Sequence, residues 1–423
     1  MSNLPGTRTT TLDPNLGIVA PSADGARVVV GCSSLGAVNT VVTLSDPTTI
    51  PQKIGVGPGA RGVADQLSLG GGVVHFVRTA GDILGTITPN PSNPSNPAIT
   101  TSGSPLDRFE IIVKITTAGA LGTSAFTYSL DGGDTVLGPI ATAANVALPG
   151  TGIALNFAPG AYVVNDTYLF VTTAPKASVS SVQSAIRAAF AATNLLYEYI
   201  QVAQPTDSAF WAALAALRLE AESNHRFIDF LTETIPPGDD PDAWVAALLA
   251  DIATFSAVGV HIVALWGESV DTSSGRLEIQ SAAARIGARI SSNQVHVSPG
   301  WGKLGALAGF LTAAPFDIVP QPVGSPRKVS KLNNGHALTL QNAGFITGFT
   351  VVGLGGYFLT RPNSAAAATS DFKFLMRSRI DEARRVTWSV KRTCRSCSST
   401  LTRSSWWRPR RRWRTRQRRR SRR

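Results

Sequence analysis

The hydrophobic period changes twice along this chain, and no other feature limits the fold as much. Residues 27–32 form a short β-branched run stopped by Gly31, the composition of a strand buried on both faces. A further apolar stretch lies at 41–44. Gly57-Pro58-Gly59 then leads into a helix expected over 60–69, which Gly70-Gly71-Gly72 ends, and 73–77 reads as a second buried strand. The period breaks at 88–97, where prolines stand at 89, 91, 94 and 97. Proline lacks the amide donor and holds its predecessor extended, so neither helix nor central strand fits there. Beyond it Phe109, Ile111, Val113 and Ile115 alternate at period two, as do Phe126, Tyr128 and Leu130, with a turn at 131–134. Residues 98–175 therefore read as all-β.

Helical spacing returns at Ser178, with Val179, Val182, Ile186 and Phe190 on one face. From there strands expected at 197–202, 227–231 and 260–265 alternate with helices opened by Thr206 or Asp207 after Pro205, by Asp239 or Asp240 before Pro241, and over 277–290. Alternation of this kind predicts an α/β doubly wound, mostly parallel sheet core, interrupted by an all-β, sandwich-like insertion and followed by a small α+β unit. The expected division is 1–20 extended arm, 21–81 plus 177–297 core, 82–176 insertion, 298–390 C-terminal α+β domain, and 391–423 arginine-rich tail. Within 298–390 two strand candidates lie at 349–354 and 356–359, and Ser370-Asp371-Phe372 opens a helix expected to reach about 385.

Charge is distributed unevenly. Of 39 Lys plus Arg, 15 lie in 391–423, leaving 24 basic residues against all 27 acidic ones. The body is thus slightly acidic, and any argument from basicity to nucleic acid concerns the tail. No apolar run reaches the roughly 20 residues that span a bilayer, no export signal is expected at the N-terminus, and three cysteines form no disulfide framework.

Residues with chemical potential are scattered. The histidines at 75, 225, 261, 296 and 336 pair at no metal-ligand or catalytic spacing, and His75 and His261 fall inside strand runs as structural residues. Cys394 and Cys397 have no second pair to complete a zinc site. Gly302-Lys303 lacks the following Ser or Thr of a phosphate loop, and Gly31 to Gly36 does not fit a dinucleotide fingerprint. Asp131/Asp134 and Asp239/Asp240 sit in turn or cap contexts. No catalytic residue, metal ligand or cofactor is expected, and the chain does not read as an enzyme.

The tail carries Arg408, Arg410, Arg411 and Trp413 in a run of arginine with interleaved tryptophan. Acidic residues stop at Glu382, where arginine, serine and tryptophan take over. A frame slip in GC-rich coding DNA gives this signature, so a frameshifted terminus after about 383 ranks first and solvated disorder second. Third comes a nucleic-acid-binding protein that contacts phosphates and bases through those four residues.

The segments Gly31-Cys32-Ser33-Ser34-Leu35-Gly36-Ala37-Val38-Asn39-Thr40 and Gly70-Gly71-Gly72-Val73-Val74-His75-Phe76-Val77-Arg78 resemble parts of contractile phage tail sheath proteins. So do Ala343-Gly344-Phe345-Ile346-Thr347, Gly353-Leu354-Gly355-Gly356-Tyr357-Phe358, Ser370-Asp371-Phe372 and 379–385 (Arg-Ile-Asp-Glu-Ala-Arg-Arg). The order of these motifs across the chain makes the resemblance, which leaves out only 82–176, similar to the variable insertion of that family. It implies a structural polymer that forms a sheath around a tail tube and drives the tube through an envelope on contraction, with no cofactor. Implied partners are copies of itself, the tube protein, and baseplate and tail terminator proteins. The implied location is the virion tail, assembled in the host bacterial cytoplasm. A heterologous, non-closing contact suits such an array. The subunit contacts implied are Leu12 and Asn15 in a donor arm, with Phe345, Phe349, Tyr357, Asp371, Phe372, Arg379 and Asp381 in the C-terminal unit. The arginine run departs from the family's helix-and-strand ending after about 383. A third class, an α/β enzyme with a β-sandwich accessory domain, requires a deep polar pocket with convergent titratable groups at the strands' carboxyl ends.

Overall fold

The computed structural model describes residues 25–192, 194–238, 240–313, 332–375 and 378–381. Its centre is a six-stranded sheet. In chain order the strands are β1 (Arg27–Gly31), β2 (Val41–Leu44), β3 (Val74–Arg78), β4 (Tyr199–Thr206), β5 (Asp229–Thr234) and β6 (Val260–Val263), and they lie side by side as β6-β5-β4-β1-β3-β2. All pairings are parallel except β2 on β3, so the sheet is mixed, with one antiparallel edge. β1 is central because it is valine-rich on both faces: Val28 and Val30 pack with one cluster, Val29 with the other. Each such side chain contributes roughly 1.5–3 kcal/mol when buried.

Helices cover both faces. α1 (Pro58–Gly70) starts with Pro at its first turn and packs on β1, β3 and β4. Gly59 sits where α1 meets the end of β1, and a Cβ there would lie 2.7 Å from the Phe76 ring and 2.9 Å from the Cys32 carbonyl oxygen. α2 (Val179–Ala191) and α3 (Ser208–Ser223) lie on the opposite face, N-capped by Ser178 and Asp207. α4 (Pro241–Ala253), capped by Asp240, adds Trp244, Val245 and Leu248 to that side. Leu249, Ile252 and Phe255 are partly buried against it.

The stretch 277–290, expected as one helix, is two elements: β8 (Leu277–Ser281), paired antiparallel with β7 (Trp266–Val270), and α5 (Ala283–Ser291). Leu277 and Ile279 alternate with Glu278 and Gln280 at the strand period, and the helical pattern begins only at Ala283. β9 (Phe310–Ala313) completes that sheet. α6 (Asn334–Ala343) occupies the stretch before Gly344 and opens with a capping box on Asn333. The hairpin of β10 (Gly348–Val351) and β11 (Leu354–Leu359) turns through Gly353 at φ 82°. At 370 the chain forms turns rather than opening a helix, and helical geometry among the described residues begins at Leu375.

Between β3 and α2 the chain builds two facing sheets, a two-stranded ribbon of Gly119–Ala120 and Ala161–Tyr162, and no helix. One has five strands, in the order Ile87–Pro89, Thr167–Thr172, Glu110–Thr117, Ala125–Ser129, Leu137–Ala141. The other has three, in the order Asn145–Leu148, Ile153–Phe157, Ile99–Gly103. Phe126 of the first and Phe157 of the second meet at 4.9 Å inside a core of their own. The alternation of Ile111, Val113 and Ile115 produces this face. Ile83 and Lys176, at the two ends of the block, exchange backbone hydrogen bonds of 3.0 and 2.8 Å and close a narrow neck.

Candidate functional site

Sheet connectivity locates the first candidate. After β1 the chain crosses through α1 to β3, whereas after β4 it runs the other way to β5 and β6, so the strand order reverses between β1 and β4. Crevices outside the carboxyl ends at such a reversal are the usual ligand position in open α/β sheets. A cavity of about 210 Å³ lies here, walled by Pro58, Ala203, Pro205, Pro236, Pro237 and Trp266, with Arg61, Asp65, Glu233 and Lys176 also at its lining.

Beside the cavity the insertion meets the core along a charged seam. Arg61 on α1 reaches Asp107 of the insertion at 3.2 Å with one nitrogen and Glu278 of β8 with the other. Arg276 approaches Glu278 at 2.6 Å and lays its guanidinium over the Phe109 ring at 4.7 Å. Arg108 donates to the Ile279 carbonyl at 3.2 Å and to Glu110 at 3.1 Å. Behind them the buried Arg285 donates to the Val270 carbonyl at 2.6 Å and lies 3.4 Å from Asp65, which also accepts from Thr272 at 2.9 Å.

Burial governs the electrostatics. It pushes Glu278 up to about 7 despite Arg61, and Glu233 up to about 7 despite a hydrogen bond from Ser281. Asp107 and Asp65 are raised for the same reason, against the pull of Arg61 and Arg285 respectively. Burial also acts upward on Asp271, but Arg61 and the Ser274 and Ser273 donors outweigh it and hold that carboxyl low. Arg61 is firmly protonated, because its carboxylate neighbours outweigh burial. These charges answer one another across the seam while the cavity wall is largely apolar. Among the described residues no group of three or more His, Cys, Asp or Glu could hold a metal ion. No helix among them is long and apolar enough to cross a membrane.

The residues singled out in the sequence fall elsewhere. Phe345 is fully buried, edge-on to Trp211 at 6.0 Å. Phe349 faces Phe358 across the hairpin at 6.1 Å, and Tyr357 stands edge-on to Phe310 at 5.6 Å. Asp371 is exposed in a turn, with Phe372 and Asp381 half-buried. Arg379 is 2% exposed, ion-paired with Glu198, and donates to the Ile290 carbonyl at 3.3 Å. The hairpin carries Phe349 and Tyr357 on its two strands, facing Phe358 and Phe310 respectively, and the other described ones lie outside it. Leu12, Asn15, Arg408, Arg410, Arg411 and Trp413 lie outside the described residues, as do Cys394 and Cys397. Structural roles hold for the strand histidines: His75 Nδ1 is 3.0 Å from Thr43 Oγ1, and His261 Nε2 is 3.0 Å from Asp229. Asp131 binds its own turn, accepting from Ser129 and Thr135, and Asp240 caps α4. The seam itself has no motif. Its trace in the sequence is charge alternating with apolar residues at 107–110 and 276–279, inside strand-like segments.

Several solved structures are similar to this chain. A sheath tail protein from Desulfitobacterium hafniense has 15% identity and a TM-score of 0.45, covering 88% of this chain and 80% of that one. One from Listeria innocua has 12% identity and a TM-score of 0.45, covering 89% and 79%. The sheath complex of an extracellular contractile injection system, PVC, in its contracted state, has 8% identity and a TM-score of 0.49, covering 95% and 77%. No curated protein matches. The family model described as DUF2586, N-terminal domain, matches residues 4–363, most of the length, and the chain therefore belongs to the DUF2586 family.

Proposed function

We propose that this protein is a structural subunit, not an enzyme, that polymerises into the contractile sheath around a tail tube and drives tube penetration on contraction. The observation that carries the reading is the ordered series of sheath-like motifs. Four of the six map to structural joints: the loop after β1, the α1–β3 connection, the Phe345–Thr347 segment beside β6, and the β10–β11 hairpin. The hairpin supports it physically, since Val351, Val352 and Leu354 are exposed at its tip, where a neighbouring chain can add a strand. In this reading Phe349, Tyr357, Asp371, Phe372 and Asp381 contact a neighbouring subunit. Phe345 and Arg379 hold that surface from inside, and the arm with Leu12 and Asn15 is the donor. The domain division 21–81 plus 177–297, 82–176 and 298–390 belongs to the same proposal. So do the tube, baseplate and terminator partners and assembly in the bacterial cytoplasm into a virion tail. Negative-stain microscopy of the purified chain is expected to show tubes or rings, lost on Val352→Asp; dispersed monomers under every condition overturn the reading.

A further inference from the structure

Four parts of the chain, distant in sequence, bring charge to one seam. The insertion supplies Asp107, Arg108 and Glu110, and α1 supplies Arg61 and Asp65. The end of β5 supplies Glu233, and the stretch from β7 to α5 supplies Asp271, Arg276, Glu278 and Arg285. Six carboxyls thus meet four guanidiniums, with the Lys176 ammonium across the neighbouring cavity. Pairing cannot be completed when every acid is ionised. Glu233, 9% exposed, has no guanidinium at ion-pair distance among the described residues, and Asp107 and Glu278, 4% and 8% exposed, share Arg61, so charge there is not fully compensated, which is strongly unfavourable. A closed seam relieves it by holding protons; an opened seam relieves it with water.

The geometry points to a proton-linked seam: the insertion seats tightly on the α/β core while the surplus carboxyls hold protons, and loosens from it when they ionise. The contacts that give way are Arg61 with Asp107 and Glu278, Arg108 with the Ile279 carbonyl, and Arg276 over Phe109. The sign follows from the two Glu side chains, which titrate near 7 in the closed seam and near 4.3 when free in water. Opening releases their protons, so the opening constant rises between about pH 4.5 and 7 and levels off above. Asp271, held low, acts in the opposite sense only below about pH 4. Nothing in this device depends on the sheath reading, since it concerns one chain and its own insertion.

Hydrogen–deuterium exchange of the full-length chain tests it, with each pH corrected for intrinsic exchange. The probes are segments 105–112 and 274–282, and the reference is 123–130 in the insertion core. Exchange at the probes is expected to rise at least about tenfold from pH 5 to 7.5, the effect of releasing one proton over one pH unit, with the reference unchanged. Glu278→Gln and Glu233→Gln, made separately, are expected each to cut that rise by about threefold or more and to keep the pH 7.5 seam protected. Flat exchange across the range in the unmodified chain overturns the proposal even if both variants fail to fold. So does an equal rise at probes and reference, or an undiminished rise in folded variants.

Discussion

Single side chains in this protein divide into those a sequence announces and those it hides. Asp131 and Asp240 were legible as turn and cap residues, because the partners of a short polar side chain lie a few residues away. Arg61, Asp107 and Glu278 were not, because each reads locally as an ordinary surface charge and only the fold brings them together. Arg379 stands between: its motif marked it, but its partner Glu198 lies 181 residues earlier. Arg379→Ala leaves that buried carboxylate without its guanidinium and is expected to destabilise the chain by about 3 kcal/mol or more; denaturant midpoints check it, and a change below about 1 kcal/mol removes the structural role assigned to the pair. Cys32 is 3% exposed, its thiol 3.3 Å from Thr79 Oγ1 and pushed up by burial. In a Cys394→Ser/Cys397→Ser background a thiol reagent is expected to label nothing until denaturant is added, and rapid labelling of the native chain contradicts this packing.

At the scale of elements, strands with β-branched runs and helices with capped, striped faces were readable, since their signals are local. β8 was misread because five residues of alternation ran straight into a helix with no glycine or proline between them. The antiparallel entry of β2 was beyond reach, as strand direction is fixed by partners and not by composition. The hairpin tip and the insertion core predict opposite behaviour. Val352→Asp touches nothing inside the chain, so stability is expected to shift by less than about 0.5 kcal/mol while any self-association weakens; a large loss of stability in the dispersed chain argues against a free-standing tip. Phe126→Ala empties the contact between the two insertion sheets and is expected to cost about 3–5 kcal/mol. That loss should appear as a separate early transition in calorimetry with the core transition kept, because the insertion has its own cluster.

At the scale of the whole molecule, the insertion is joined to the core by the Ile83–Lys176 neck and by the charged seam. Replacing 84–175 with a short Gly/Ser linker is expected to leave a folded α/β core of native-like circular dichroism. Its melting temperature should fall, because Arg61 loses Asp107 and the Phe109 ring leaves Arg276. An aggregated or unfolded product counts against an independent core. The change of hydrophobic period marks where the helix-free block between β3 and α2 begins and ends, whereas the seam beside it leaves no such mark, being a property of tertiary assembly. The position of β1 has a further consequence for biosynthesis. Its partner on one side, β4, is paired through Arg27 and Tyr199, which lie 172 residues apart. At 5–20 residues per second, about 10–30 s pass before the ribosome delivers that partner. Through that interval the nascent valine-rich strand has an open edge, while the intervening β-sandwich emerges and, toward its end, can condense beside it. Translation speed through the sandwich sets how long that exposure lasts.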